Sequence, residues 1–362
     1  MTVRRSSFFV VAAVTLTGSV LAQATAVELP DVAFSGRARA FLFAADRDKT
    51  PTEPFKSVNA FANAALYADT KTIFDNGIEL RTVVELNAYG SELLTGRARN
   101  LLRADRVYAD INTAFGRLRV GQREGANATI LEDPAPQAFL SPSEDVVGDI
   151  LKARTNVTTR DAATFKRFAD RAFALGYETP ALLPGLRLGL SYHPSTGTDR
   201  RTIGRRQSAK HGIDVSGRYE GRYPGGTYRI AAGYFRSDSR TGGASGTQAW
   251  NTLVRVTYGG WEASATYLTS DPQRGPDDET WTGGVLYGIG PFKISADYLV
   301  GQRDLVAGAR ATEHVKRASL QGQYRVRQGV SVGLTGFHVR QRDSLGREWD
   351  GVGALTGVKF SF

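Results

Sequence analysis

Past its N-terminal segment the chain is dominated by residues that alternate with a period of two, and the connections between alternating stretches sort by parity. Residues 78–89 set Ile78, Leu80, Thr82, Val84, Leu86 and Ala88 against Glu79, Arg81, Val83, Glu85, Asn87 and Tyr89. Residues 292–300 repeat the pattern, with Phe292, Ile294, Ala296, Tyr298 and Val300 opposite Lys293, Ser295, Asp297 and Leu299. A strand points successive side chains to opposite faces, so such segments read as strands with two unlike faces. Sixteen can be placed: 32–44, 56–69, 78–90, 102–115, 116–123, 171–179, 186–193, 211–223, 227–237, 248–258, 261–269, 280–288, 292–302, 313–325, 329–341 and 349–362. Many match the roughly 9–11 residues that a tilted strand needs to cross a bilayer.

The even-numbered connections are tight: Asp75-Asn76-Gly77, Phe115-Gly116, Pro184-Gly185, Pro224-Gly225-Gly226, Gly259-Gly260, Gly290-Pro291 and Val326-Arg327-Gln328. The odd-numbered ones are longer and polar, at 45–55, 91–101, 124–170, 194–210, 238–247, 270–279, 303–312 and 342–348. Short turns on one rim and long loops on the other are the pattern of a transmembrane barrel. A soluble β-sandwich also alternates, but it has no reason to separate its turns by parity. Aromatics near strand ends (Tyr67, Tyr89, Tyr192, Tyr223, Tyr228, Tyr258, Trp261, Tyr287, Phe292 and Tyr324) would form interfacial girdles in a barrel and core in a sandwich. The expected fold is therefore all-β, a 16-stranded antiparallel transmembrane β-barrel. Strands span lipid only when every backbone group is paired, which requires closure. A barrel of this size leaves an aqueous lumen.

Composition agrees. The 362 residues include 40 Gly and 14 Tyr but no Cys, which excludes disulfides and thiolate chemistry. At 41% hydrophobic and 10% aromatic the chain is not compositionally disordered. A mean hydropathy of −0.28 is too polar for a helical membrane protein, and no later stretch offers the ~20 apolar residues of a spanning helix. Residues 1–22 read as a secretory signal: Arg4 and Arg5 come first, 8–16 are apolar, and Val20-Leu21-Ala22 precedes a cut. A second possible cut follows Ala26, and residues 27–362 form the expected barrel domain. Removing Arg4 and Arg5 would leave 44 basic against 36 acidic residues, a formal +8.

The terminal Phe362, with Phe360 and Val358 at alternate positions, resembles the C-terminal signal of outer-membrane barrels, which the barrel assembly machinery reads. The whole chain past the leader resembles the sixteen-stranded general porins of Gram-negative bacteria, nearest to the alphaproteobacterial type. Val120-Gly121-Gln122-Arg123 ends the fifth strand just before the longest loop, as in that family. Tyr177-Glu178-Thr179-Pro180 through Leu186-Arg187-Leu188-Gly189-Leu190-Ser191-Tyr192 resembles the strand, turn and strand that follow it. The resemblance implies an outer-membrane homotrimer, a second loop (here 91–101) reaching into a neighbour, and a third loop (about 124–170) folded into the lumen. Enteric relatives carry Pro-Glu-Phe-Gly-Gly-Asp at the tip of this loop. Glu144-Asp145-Val146-Val147-Gly148-Asp149 matches it in part, with Asp145 and Asp149 on the acidic positions, and 152–170 is basic and long.

Glu132, Asp133, Glu144, Asp145 and Asp149 are thus the expected acidic side of a constriction, stiffened by Pro134, Pro136 and Pro142. Arg37, Arg39, Arg81, Arg106, Arg117 and Arg119 are the expected basic side. The plainer alternatives are a solvated acidic loop, and arginines paired with nearby Glu79, Glu85 or Asp110. Facing rows of charge would set a transverse field that favours polar solutes, with no covalent chemistry. The formal +8 suggests weak anion preference or little preference. Arg200, Arg201, Arg205, Arg206 and Lys210 on the fourth long loop could meet lipopolysaccharide phosphates or be simply solvated.

No cofactor is expected. Asp46 with Asp48, and Asp271 with Asp277, Asp278 and Glu279, are possible Ca²⁺ ligands that read more simply as solvated acids. His193, His211, His314 and His338 lack metal-site spacing. The partners expected are outer-membrane lipid and small hydrophilic solutes, not nucleic acid. The leading function is a passive diffusion channel. The alternatives are a substrate-selective channel, an outer-membrane enzyme, and a structural or adhesive barrel.

Overall fold

The computed structural model describes residues 31–47, 58–90, 101–131, 135–140, 172–196, 209–239, 246–272, 278–304, 312–343 and 345–362. The strands are β1 (Asp31–Arg47), β2 (Val58–Ile73), β3 (Glu79–Gly90), β4 (Leu101–Thr113), β5 (Gly116–Gln122), β6 (Phe173–Glu178), β7 (Leu186–Ser195), β8 (Ala209–Tyr223), β9 (Gly226–Ser239), β10 (Thr247–Tyr258), β11 (Trp261–Pro272), β12 (Asp278–Ile289), β13 (Phe292–Asp304), β14 (Thr312–Arg327), β15 (Val330–Arg342) and β16 (Glu348–Ser361). Among the described residues one short helix, α1 (Ala126–Leu131), lies between β5 and β6. All sixteen expected strands are present in the expected order. At the short turns Gly185 and Gly225 hold φ of 90° and 81°, where a side chain would be strained.

Each strand pairs antiparallel with its sequence neighbours, and β1 pairs with β16, which closes the barrel. The seam runs from Arg37 opposite Ser361 to Arg47 opposite Gly351. One residue beyond it, the Gly36 N–H donates to the Phe362 carbonyl at 3.0 Å and the Phe362 N–H to the Gly36 carbonyl at 3.1 Å. Closure leaves no unpaired edge.

A closed sheet has two faces, and the side chains divide between them. On β10, Ala249, Asn251 and Leu253 are buried, whereas Trp250, Val254 and Val256 are exposed. The exposed apolar set faces outward. Near the short turns it carries the aromatic pairs Tyr223–Tyr258 (ring centroids 6.3 Å), Trp261–Tyr287 (4.5 Å) and Phe292–Tyr324 (4.9 Å). Toward the long connections it carries Tyr234–Trp250 and Tyr267–Trp281, both at 4.3 Å. Trp250 and Tyr258 are eight positions apart on β10, about 27 Å along the strand. After tilt that approaches the ~25 Å apolar band between the girdles of membrane barrels. Tyr67 departs from the expected girdle: its hydroxyl donates to Glu85 at 3.3 Å on the inward face.

The inward face is polar apart from the buried pair Phe235 and Ala249 and two larger apolar clusters. Phe41, Phe43, Leu299, Val315, Phe337, Val339 and Leu355 form one cluster with Phe139 and Leu140. Ala231, Leu253 and Leu268 form another with Leu131. Both accept residues of the connection between β5 and β6, where each buried large apolar side chain contributes about 1.5–3 kcal/mol.

Candidate functional site

The six expected arginines all lie on the inward face, and most are held by carboxylates of the wall itself. Arg119 grips Asp110 through two parallel bonds, Nε at 2.5 Å and Nη2 at 2.8 Å. Arg106 donates from Nη1 to Glu85 at 2.7 Å and from Nη2 to Glu124 at 2.5 Å. Arg81 donates from Nε to Asp69 at 2.8 and 2.9 Å. Arg117 pairs with Glu178 and lies 3.9 Å from Asp110. Arg37 lies 3.9 Å from Glu85, and Arg39 bonds Asn63. Glu79 pairs with Lys71 at 2.7 Å. Pairing with wall carboxylates, Glu85 and Asp110 among them, is one of the two arrangements expected from sequence, and it is compatible with the other, a basic side of a constriction. Guanidinium forks suit it, because they bind carboxylates bidentately and stay charged when buried.

A β-bulge thickens this lattice. Arg106 pairs with Glu85 and Ala104 with Leu86, so Asp105 is the extra residue. Asp105 is fully buried and accepts from the Asn87 amide, beside Arg106 on the same face. Arg123 joins with its guanidinium 4.4 Å above the Tyr108 ring. Alternation could have found Glu178, and the switch of apolar positions from Leu102 and Ala104 to Val107, Ala109 and Ile111 is the signal of the bulge at Asp105.

The connection after β5 is bound to the inward face at two places. At its start, the Ala126 N–H donates to Ser191 Oγ at 2.7 Å and the Asn127 N–H to Asp214 at 3.3 Å. Asp214 also holds buried His193 Nε2 at 3.1 Å. Asn251 donates to the Asn127 side chain at 3.0 Å, and Thr129 to Glu178 at 3.2 Å. Further along, Gln137 donates to Asp297 at 3.0 Å and the Ala138 N–H to Ser295 Oγ at 2.8 Å. The Phe139 and Leu140 N–H groups share Gln321 Oε1 at 3.0 and 2.7 Å. Lys359 donates to the Phe139 carbonyl. Side chains of β6, β7, β8 and β10 thus receive the first stretch, and those of β13, β14 and β16 the second. Backbone donors that no strand satisfies are met by polar groups of the wall.

The expected acids Glu132, Asp133, Glu144, Asp145 and Asp149 lie outside the described residues, as do Arg200, Arg201, Arg205 and Arg206. Lys210 is described as backbone only, opposite Ser195 and Asp238. Of the acids considered for Ca²⁺, Asp48 and Asp277 are outside the described residues, Asp46 is exposed, and Glu279 accepts from Trp281 Nε1 at 3.3 Å. No group of three or more His, Asp or Glu side chains suited to a metal occurs among the described residues. Val358, Phe360 and Phe362 share the outward face of the seam strand, and Phe362 is 79% exposed.

The sequence reading did not single out a second arginine group, on the inward face of β7–β10. Arg187 lies directly opposite Arg218, and Arg229 opposite Arg255. Glu220 accepts from Arg229 Nε at 2.6 Å and lies 3.6 Å from Arg218, and Glu262 lies 3.4 Å from Arg255. Fixed charges along a barrel too wide for side chains to fill can orient and sort ions and polar solutes without making or breaking bonds.

Comparison with known proteins points the same way. No curated protein matches the sequence. The channel DcaP of Acinetobacter baumannii superposes with a TM-score of 0.66 at 14% identity, covering 92% of this chain and 97% of that one. The trimer form of OmpT, an outer membrane protein of Vibrio cholerae, gives 0.62 at 12% identity, covering 92% and 99%. A mutant of the Rhodopseudomonas blastica porin gives 0.57 at 14% identity, covering 92% and 100%. The sequence model of Gram-negative porins matches residues 9–344. The chain therefore belongs to the Gram-negative porin family, a β-barrel of the bacterial outer membrane.

Proposed function

We propose that this barrel is a passive channel for small hydrophilic solutes and ions, that the connection after β5 narrows its lumen, and that it prefers anions. The observation that carries the reading is the pair of anchorages, of residues 126–131 on inward side chains of β6–β10 and of residues 137–140 on those of β13–β16, within a barrel of sixteen strands. A segment held by both arcs crosses the bore between them and divides it. Glu132, Asp133, Glu144, Asp145 and Asp149 then supply acids near the narrowed passage. The arginines of β1–β5 are partly neutralised by wall carboxylates, so the transverse field is weaker than two unpaired rows would give. The anion preference comes from the rest of the wall, where Arg187, Arg218, Arg222, Arg229, Arg255, Lys293, Arg325 and Lys359 outnumber the acids. Transport down a gradient needs no cofactor and no catalytic residue.

The outward face supports a homotrimer. From β15 through β1 to β5 it shows no Tyr or Trp among the described residues, and β1 and β2 present Gly36, Ala38, Ala40, Ala60, Ala62 and Ala64 there. Aromatic girdles belong where lipid is the neighbour, and small residues let two backbones approach. Phe362, with Phe360 and Val358, is the segment the assembly machinery reads. The bases Arg200, Arg201, Arg205, Arg206 and Lys210 would meet lipopolysaccharide phosphates.

Liposome swelling with sugars and amino acids of increasing size tests the channel. Uptake should fall steeply with solute size, and liposomes that exclude every solute would overturn it.

A further inference from the structure

We infer that the inward face of β7–β10, on the short-turn side of the helix α1, is a binding site for small multivalent oxyanions, a refinement that rests on the channel reading above. Five arginines occupy it: Arg187 on β7, Arg218 and Arg222 on β8, Arg229 on β9 and Arg255 on β10. Adjacent strands lie about 4.8 Å apart, so the group spans a strip roughly 14 Å wide. Two cross-strand pairs set arginine directly opposite arginine, Arg187 with Arg218 and Arg229 with Arg255. Like charges in that position repel, and the fold accepts the repulsion twice on one patch of wall.

Two carboxylates lie among them. Glu220 contacts Arg218 and Arg229, and Glu262 contacts Arg255. Arg218 also reaches the Ile130 carbonyl at 3.5 Å, at the end of α1. Arg187 and Arg222 are exposed and form no ion pair among the described residues. The formal balance of the patch is +3, from five guanidinium groups and two carboxylates. A ligand with two or more anionic oxygens would meet Arg187 beside Arg218 and offset the repulsion of that cross-strand pair, with Arg222, four residues further along β8, adding to the attraction; a monovalent ion would do so only weakly. Pyrophosphate and citrate share that chemistry, since guanidinium forks bind phosphate and carboxylate alike.

The test is current block in the reconstituted full-length protein. Inorganic pyrophosphate, citrate or acetate is added to the short-turn side of channels carrying chloride current. Pyrophosphate and citrate should each produce concentration-dependent block, and acetate should not. The double variant R187Q/R222Q should raise the half-blocking concentration about tenfold, as loss of two exposed charge contacts implies. E220Q, which removes a carboxylate, should shift it the other way. Channels that conduct and prefer chloride but show no block, or block unchanged in both variants, would overturn the site while leaving the channel intact. Absence of conductance would overturn the channel reading itself.

Discussion

Gly333 on β15 lies under the ring of Phe139: a Cβ built there would fall 2.3 Å from two ring carbons. The missing side chain is what lets the connection after β5 settle on the far wall, in the cluster with Phe41 and Phe337. Phe41 meets the same ring edge-on at 5.8 Å.

Gly333→Val should therefore dislodge Phe139 while the strand pairs as before. Losing a buried Phe contact of this kind costs about 3–5 kcal/mol. That is enough to free the segment, so single-channel current should become noisier and its mean conductance should change. Traces indistinguishable from the parent would show that the segment is held elsewhere.

Arg106→Ala should destabilise the barrel. It leaves Glu85, with a fully buried side chain, and Glu124, 5% exposed, without their main cation. Removing one partner of a buried pair costs ~3–5 kcal/mol, and the partial exposure of Arg106 places this case at the lower end. Thermal unfolding in detergent should shift to lower temperature. Arg340→Ala makes the control, because its pair with Asp350 is about half exposed on both sides and should cost little. Equal shifts would contradict the ranking.

Strand count, order and faces were legible because lipid and a wet interior demand different side chains of alternate residues, and because Gly77, Gly185 and Gly225 mark the short rim. The anchoring of residues 126–131 and 137–140 was not. Phe41, Phe337 and Leu299 alternate as regularly as the lipid-facing residues do, and period alone cannot say that a loop rather than lipid covers them. Asp105 left a trace that regular alternation passes over: the apolar positions run Leu102 and Ala104, then Val107, Ala109 and Ile111, so the parity switches across the adjacent charges Asp105 and Arg106. The arginines were legible as inward-facing. Which carboxylates hold them depends on cross-strand register, as with Arg117 of β5 beside Glu178 of β6.

The turn between β15 and β16 should loosen only in acid. Burial works to raise the pKa of Asp343, but the Arg347 side chain at 2.8 Å and the N–H groups of Arg347 and Leu345, both at 2.9 Å, outweigh it and hold the carboxyl below its usual range. A depressed folded value gives stability that is present above the ordinary carboxyl pKa of about 4 and is lost as pH falls through the folded value. Amide exchange at Leu345 and Arg347 should stay protected at pH 7 and 5 and lose protection below about pH 4. Asp343→Asn should remove protection already at neutral pH; unchanged protection in that variant would contradict the assignment.

Deleting Phe362 should separate assembly from folding. The residue extends the seam by two backbone hydrogen bonds to Gly36, a small part of a closed sheet. In cells the truncated chain should fall well below parent levels in the outer membrane. Refolding into detergent should remain efficient. Parent-level insertion in cells would remove Phe362 from the signal.

A planar-bilayer recording of the purified protein across a potassium chloride gradient tests most directly whether the passage is water-filled and anion-preferring. Conductance should rise stepwise, with steps grouped in threes, and the reversal potential should fall on the chloride side of zero. A membrane that stays silent, or a reversal potential on the potassium side, would contradict it.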